Sequence, residues 1–246
     1  MSKQYNYDEQ EVVQAIAKAL DTFYSSLIEK IDRIDVVKIM KRKNPYLYRA
    51  KGIANASEIC ASVLSAFVSS SEETIFGNCF FEPIAIAASG GKKALAEGVD
   101  IMIHDDATNT ISAIAVKSGT SVFNSDSKKR QEQNFTAASK LAGQAKARFE
   151  AIIGYSYVKK SESSRSKPKI YQELAGKEFW AYLTGDDQFY VKILNFMGTL
   201  PEQYVQSYRE SYTKAHNRLV LEFSTRFCNS DGSINWEKLV EFNSGD

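Results

Sequence analysis

The chain has 246 residues, of which 43% are hydrophobic and 25% are charged, and its formal net charge is +1. This composition predicts a soluble globular protein with a substantial core, and the near-neutral charge argues against a histone-like or ribosomal type of binder. Its 3 cysteines follow no metal-binding spacing, so reduced core thiols are expected. The amino terminus is polar, without the features of a signal peptide, and no apolar run approaches the ~20 residues that span a bilayer. We therefore expect a cytoplasmic protein with no membrane association.

The amino-terminal region is predicted to be helical. Apolar residues recur at helical spacing from about Asp8 to Lys38, which predicts an amphipathic helix or a helix pair. A second helical pattern runs from Ala56 to Ala88 as one helix or two, with Gly77 and Pro83 as sites of bends. The first of these patterns, from Asp8 to Lys38, is predicted to serve packing more than chemistry.

A basic and aromatic segment, KRKNPYLYRAKGI, separates the two helical patterns. Cations interleaved with tyrosines on a loop suit contact with phosphates, and the alternative is a solvated basic turn. The cations that we expect to contact DNA here are Lys41, Lys43, Arg49 and Lys51.

Two carboxylates in the second helical pattern have unusual neighbours. Glu73 and Glu82 sit among apolar residues, where carboxylates are uncommon. The following segment SGGKK lacks the spacing of a phosphate-binding loop, so we interpret it as a turn that ends the helix.

A predicted β-hairpin from Glu97 to Thr120 is the organising element of the chain. Alternation of apolar and polar residues around Ile101 predicts a first strand, a polar turn follows, and Ile111 to Lys117 forms the second strand. Asp100 then lies near the start of one strand and Lys117 at the end of its neighbour. Metal-dependent cleavage of phosphodiesters needs such a pair, because the carboxylate helps to hold a divalent cation and the ammonium holds water or steadies phosphate charge.

Asp100 and Lys117 give this hairpin a resemblance to the PD-(D/E)XK nuclease superfamily, and more particularly to a type II restriction endonuclease. The usual pattern places an acid on one strand and then acid, any residue, lysine on the next, but the position two before Lys117 is Ala115. The resemblance covers roughly Lys41 to Val158, a range that includes the NPYLYRAK stretch.

Three explanations of Ala115 are open. The acid could have been removed to give an inactive protein, the fold could persist without catalysis, or the acid could have migrated to the helix after the second strand, where Glu132 is the candidate. Glu132 could equally be an acid favoured near a helix start by the macrodipole. In the superfamily the helix before the hairpin often supplies an acid, for which Glu82 is the first choice and Glu73 the second; a cap or a salt bridge is the alternative role.

The helix after the hairpin is the strongest DNA-facing candidate and is predicted to continue to about Arg148. Lysine and arginine suit phosphates, while arginine, asparagine and glutamine can bind base edges; a solvated helix is the alternative. The residues expected to face DNA are Asn124, Ser125, Lys128, Lys129, Arg130, Gln131 and Asn134.

The remainder of the chain predicts a third strand at Ala151 to Val158, a further strand at Lys169 to Glu173, and helices to the end. Between the strands, the segment SESSRSKPK is linker-like.

This order of elements predicts an α/β fold with a mixed central sheet flanked by helices and with helical amino- and carboxyl-terminal regions. We expect residues 1–246 to form a single domain with its catalytic core at about 91–160.

The resemblance implies a Mg²⁺-dependent type II restriction endonuclease that cleaves double-stranded DNA as a homodimer. Asp100 and an acid from Glu132, Glu82 or Glu73 would hold the metal ion, and Lys117 would position the attacking water. The alternatives are a repair, phage or mobile-element nuclease on the same fold, a DNA-binding protein that has lost hydrolysis, and a helical interaction protein.

Overall fold

A computed structural model of the chain describes residues 7–119, 122–159 and 170–245. The strands of these residues are β1 (Lys92–Lys93), β2 (Ile101–Asp105), β3 (Thr110–Lys117), β4 (Arg148–Tyr155) and β5 (Gln172–Ala175). The helices are α1 (Glu9–Asp32), α2 (Val36–Met40), α3 (Pro45–Ala50), α4 (Ala56–Cys79), α5 (Phe81–Ser89), α6 (Ser125–Gln144), α7 (Lys177–Thr184), α8 (Phe189–Met197), α9 (Glu202–Phe227) and α10 (Trp236–Ser244).

The chain divides into two compact units. The sheet unit comprises Met1–Asp21 and Gly77–Leu200, and the helical unit comprises Thr22–Phe76 and Pro201–Asp246. In the helical unit, the core is formed by apolar residues of α1, α4 and α9, among them Leu27, Ile59 and Phe223.

The sheet unit contains a five-stranded mixed sheet in the order β1-β2-β3-β4-β5. The first three strands pair antiparallel, whereas β4 pairs parallel with both β3 and β5. Strand β3 is the most buried because it lies in the middle, and Ala113, Ile114 and Ala115 are all completely buried. A mostly apolar strand sequence is expected where both faces of a sheet are covered.

Helices cover both faces of the sheet. On one face, Phe135 and Ala138 of α6 pack into a cluster with Ala113 and Ala115. On the other face α7 approaches so closely that a Cβ atom on Gly154 would lie 2.0 Å from the Phe179 ring. Only glycine therefore fits at position 154, and the predicted fold class, a mixed sheet flanked by helices, is confirmed.

A predicted loop and a predicted helix end were wrong. The basic segment expected as a loop contains helix α3, because the Asn44 side chain accepts a hydrogen bond from the Leu47 amide at 3.2 Å and Pro45 occupies the first helical position. The helix expected to reach Arg148 ends at Gln144, and Arg148 instead begins β4.

The linker-like segment at residues 161–169 lies outside the described residues. Among the helices that the structure describes, none is long and apolar enough to cross a membrane.

Candidate active site

Asp100 and Lys117 meet at one end of the sheet. Asp100 directly precedes β2, and its backbone amide donates to the Ile114 carbonyl at 2.9 Å. Its Oδ2 atom accepts a hydrogen bond from the Val116 amide at 2.6 Å and lies 3.4 Å from Lys117 Nζ. The two side chains are only 22% and 26% exposed, so solvent screens their interaction weakly. The predicted pairing of the two hairpin ends is confirmed by this geometry.

Asp100 and Lys117 line a cavity of about 240 Å³ in the sheet unit. The end of α4 and the start of α5 contribute Asn78, Phe81 and Glu82 to the same cavity. Oxygen and nitrogen groups therefore converge there from two helices and from both strands of the hairpin.

Glu82 is the carboxylate that joins Asp100 in this cavity. It lies in the first turn of α5 and is 29% exposed, and its Oε1 atom accepts from Lys93 Nζ at 3.1 Å. Lys93 is 75% exposed, so this ion pair can exchange with solvent or with another cation at little cost.

Two cavity residues were not anticipated from the sequence. Asn78 and Ser118 both line the cavity, and a Cβ atom on Gly77 would lie 3.1 Å from Ser118 Oγ, which shows how closely the end of α4 approaches the end of β3. Ser118 could have been suspected because it follows Lys117. Asn78 could not, since only the fold brings α4 beside the hairpin.

Ala115, where an acid is usual in the superfamily, is completely buried. It packs in the apolar cluster with Val99, Phe135 and Ile153. This position is filled by packing contacts and offers no hydrogen-bonding group.

Glu132 does not line the cavity with Asp100 and Lys117. Burial, together with the neighbouring carboxylates of Glu173 and Glu132, raises the pKa of Tyr171 to about 12. The Glu132 carboxylate is therefore near enough to Tyr171 to influence it electrostatically, while the preceding residue, Gln131, contacts the Gly98 carbonyl. The role of Glu132 as a replacement for the missing acid stays a prediction, and Glu82 is the acid that lines the cavity.

Glu73, the second choice for an acid from the preceding helix, is an exposed residue of α4 that belongs to the helical unit. Its apolar sequence neighbours face the core while Glu73 faces away, as helical periodicity allows.

The residues expected to face DNA on α6 have different environments. Lys129 and Arg130 are exposed and Lys128 is half-buried. Asn124 is the N-cap and accepts hydrogen bonds from the amides of Asp126 and Ser127, and Ser125 follows it as the exposed first residue of the helix.

Gln131 requires a correction. Gln131 is only 5% exposed, and its Nε2 atom donates to the Gly98 carbonyl at 2.6 Å. Asn134 packs against Gly98, because a Cβ atom there would lie 2.1 Å from its Nδ2 atom. The burial and the hydrogen bond of Gln131 do not fit the expectation that it contacts bases, whereas Asn134 is half-buried and its contact with DNA stays a prediction.

The cations around α3 lie in the helical unit. Lys41, Arg49 and Lys51 lie 5.7 to 6.0 Å from aromatic ring centres. Lys41 and Lys43 also line a groove of about 610 Å³ in this unit. Arg42 of the same basic segment lines the groove as well, together with two cations from outside that segment, Arg33 and Lys38.

The donor atoms of the cavity fit a magnesium ion. Among the described residues, no group of three or more histidine, cysteine or acidic side chains could hold a metal ion. Mg²⁺ needs fewer protein ligands, since it typically binds one or two carboxylates and completes its shell with water and substrate phosphates. Asp100, Glu82 and the amide oxygen of Asn78 supply that kind of oxygen set in the cavity.

Comparison with known proteins identifies the family. A search of curated proteins gives no match. The family description "Type II restriction endonuclease EcoO109I" matches residues 10–203, a range that includes the whole hairpin, α5 and α6. Because this match covers more than half of the chain, the chain belongs to the type II restriction endonuclease EcoO109I family.

Proposed function

We propose that this protein is a Mg²⁺-dependent, sequence-specific endonuclease that hydrolyses phosphodiester bonds of double-stranded DNA. The observation that carries the proposal is the Asp100–Lys117 pair, held at 3.4 Å in a cavity that also contains Glu82. The family membership supports a nuclease that binds DNA.

Asp100 and Glu82 would hold the metal ion in this proposal. Both side-chain hydrogen bonds of Asp100 involve Oδ2, so Oδ1 is without a hydrogen bond among the described residues and can serve as a ligand oxygen. Glu82 would exchange its exposed Lys93 partner for the metal ion. When bound, the ion would polarise the scissile phosphate and lower the pKa of bound water.

Lys117 would hold the attacking water and steady the charge that develops on the phosphate. Its ammonium is fixed beside Asp100, so little reorganisation is needed when the phosphate arrives. The Val116 amide supports this arrangement, because its hydrogen bond prevents the Asp100 carboxylate from rotating freely.

The expected DNA contacts come from cations near the start of α6 and around α3. Lys129 and Arg130 are exposed on α6 and suit backbone phosphates. Two-fold symmetry in a homodimer would let each subunit cut one strand of a palindromic site.

A DNA-binding protein without hydrolytic activity is the second candidate. It is favoured by Ala115, whose buried methyl group stands where an acid ligand is usual. In that case the protein would retain the fold and the DNA-binding surface but would lack a complete ligand set.

Cleavage of a long, sequence-diverse and unmethylated DNA in Mg²⁺ separates the two candidates. The nuclease gives discrete fragments, which disappear in the Lys117→Ala variant. Tight binding at a defined site without fragments, as detected by footprinting, identifies the silent DNA-binding protein and overturns the proposed activity.

A further inference from the structure

Helix α6 contacts the turn before Asp100 at successive positions. Arg130 pairs with Glu97, Gln131 donates to the Gly98 carbonyl at 2.6 Å, and Asn134 packs against Gly98. The Arg130–Glu97 pair is about 70% exposed on both sides and therefore contributes little. The Gln131 contact differs because Gln131 is only 5% exposed.

Gly98 is the residue that allows this close contact. Its φ angle is +69°, a conformation that residues with a Cβ atom rarely adopt. A Cβ atom would also lie 2.1 Å from Asn134 Nδ2. Backbone conformation and helix packing therefore both require glycine, and the Gly98 carbonyl is left facing the Gln131 amide.

Asp100 follows this turn directly and has little freedom of its own. Its amide donates to the Ile114 carbonyl at 2.9 Å, and its carbonyl accepts from the Ala94 amide at 3.1 Å. Its Oδ2 atom accepts from the Val116 amide at 2.6 Å. A shift of Gly98 would be transmitted through one intervening residue to this carboxylate.

We propose that Gln131 is a positioning residue: its buried amide holds the Gly98 turn and thereby sets the place of the Asp100 carboxylate beside Lys117. The inference rests on the proposed role of Asp100 as a metal ligand. Replacement of Gln131 leaves the part-buried Gly98 carbonyl without its donor, which is unfavourable, so the turn moves to find another partner. Gln131 also belongs to the helix that carries Lys129 and Arg130. Its contact with the Gly98 turn links this DNA-facing helix to the metal-binding carboxylate of Asp100, so that the two move together.

Hydrogen exchange at the Val116 amide reports the position of Asp100 without requiring activity. Gln131→Met removes the donor and keeps the length of the side chain, and Gln144→Met makes the same change at an exposed position of α6. We expect faster exchange of the Val116 amide in Gln131→Met only. Equal exchange in both variants and the unaltered protein would overturn the positioning role.

The magnesium dependence of cleavage tests whether this position matters for the reaction. Loss of a residue that orients a metal ligand typically costs roughly 10- to 100-fold in metal affinity or activity. We therefore expect the Mg²⁺ concentration for half-maximal cleavage to rise by about this factor in Gln131→Met and not in Gln144→Met. Faster exchange at Val116 with an unaltered Mg²⁺ dependence would overturn the proposal.

A second pair of variants tests the same contact without changing Gln131. Gly98→Ala should accelerate Val116 exchange, and adding Asn134→Ala should partly reverse the effect because it removes the colliding amide. No reversal in the double variant would show that the strain of the positive φ angle at position 98, and not the collision with Asn134, displaces the turn. Absence of cleavage by the unaltered protein would overturn the proposed function, while the exchange measurements would still decide whether Gln131 positions Asp100.

Discussion

The Lys117 ammonium lies 3.4 Å from Asp100 Oδ2, although 17 positions separate the two residues in the chain. The antiparallel register of β2 and β3 creates this proximity, because Ile101 pairs with Ile114 and Asp100 is therefore drawn to the end of β3. The Val116 amide, adjacent to Lys117, completes the contact with a 2.6 Å hydrogen bond. The register of the hairpin thus brings both functional groups together.

Replacement of Lys117 by alanine is expected to abolish most of the cleavage and to leave DNA binding intact. Loss of one preorganised electrostatic group costs roughly 10²- to 10³-fold in turnover. Single-turnover cleavage measures the loss, and a footprint of the same variant measures binding. Parallel losses of cleavage and binding would show that Lys117 acts in affinity instead.

Glu82→Gln and Glu132→Gln identify the second acid. Glu82 lines the cavity with Asp100. Loss of a residue that only orients a metal ligand typically costs roughly 10- to 100-fold in activity, so the loss of Glu82, a proposed ligand itself, should lower cleavage by about 100-fold or more. Glu132→Gln makes the same chemical change outside this cavity and serves as the matched control. If only Glu132→Gln impairs cleavage in a Mg²⁺ titration, then the acid has migrated to α6.

Ala115→Glu is expected to destabilise the protein without increasing cleavage. The new carboxylate would enter a cluster in which Ala115 is 0% exposed, and burying it there should lower the free energy of unfolding by about 2 to 4 kcal/mol. Urea denaturation and the cleavage assay give both readouts. A gain of cleavage at unchanged stability would indicate that this position had lost its acid.

Asp186 is expected to stabilise the sheet unit through Lys192. The Asp186 side chain is 1% exposed, and its Oδ2 atom lies 2.7 Å from Lys192 Nζ and accepts from the Tyr7 hydroxyl at 2.9 Å. Asp186→Asn should lower the free energy of unfolding by about 3 kcal/mol, as expected when a buried pair loses one charge. Asp187→Asn is the control, because its pair with Lys177 is exposed; equal effects of the two variants in urea would argue against the prediction.

The Asp186 interaction also gives an expected pH dependence of stability. Burial raises the pKa of Asp186, but hydrogen bonds from Lys192 and the Gln188 amide lower it more, so the folded pKa lies below the ordinary value of 3.8. The stabilisation is therefore fully present above the unfolded pKa and is lost as the pH falls through the folded pKa. Denaturation curves recorded at decreasing pH should show this loss, and Asp186→Asn should lack that component.

Lys129→Ala is expected to weaken DNA binding equally at all sequences. An exposed lysine that contacts a phosphate contributes about 1 to the slope of log affinity against log salt concentration. Lys140→Ala removes an exposed lysine farther along α6 and is the control. Binding isotherms at several salt concentrations would contradict the prediction if the two variants had the same slope.

Much of the fold could be predicted from local sequence patterns. The hairpin was predictable because apolar residues alternate on either side of a polar turn, and the strands Ile101–Asp105 and Thr110–Lys117 follow that pattern. The turn after α5 was predictable from Gly90, which adopts a φ angle of +61° at the end of the helix. Helix α3 was missed because the cations near Asn44 and Pro45 suggested a loop, although that pair forms a cap.

By itself, the sequence determined most of the elements and the pairing of Asp100 with Lys117, since strand period and a short turn suffice to bring hairpin ends together, and it made Glu82 an acid candidate only through the family resemblance. Only the tertiary structure decided which other side chains reach the cavity. Successive residues of a helix point about 100° apart, so Gln131 contacts Gly98 while its neighbour Glu132 points in another direction. Glu82 and Asn78 enter the cavity because α4 and α5 pack beside the sheet, and packing between distant segments leaves no periodic signal in a single sequence.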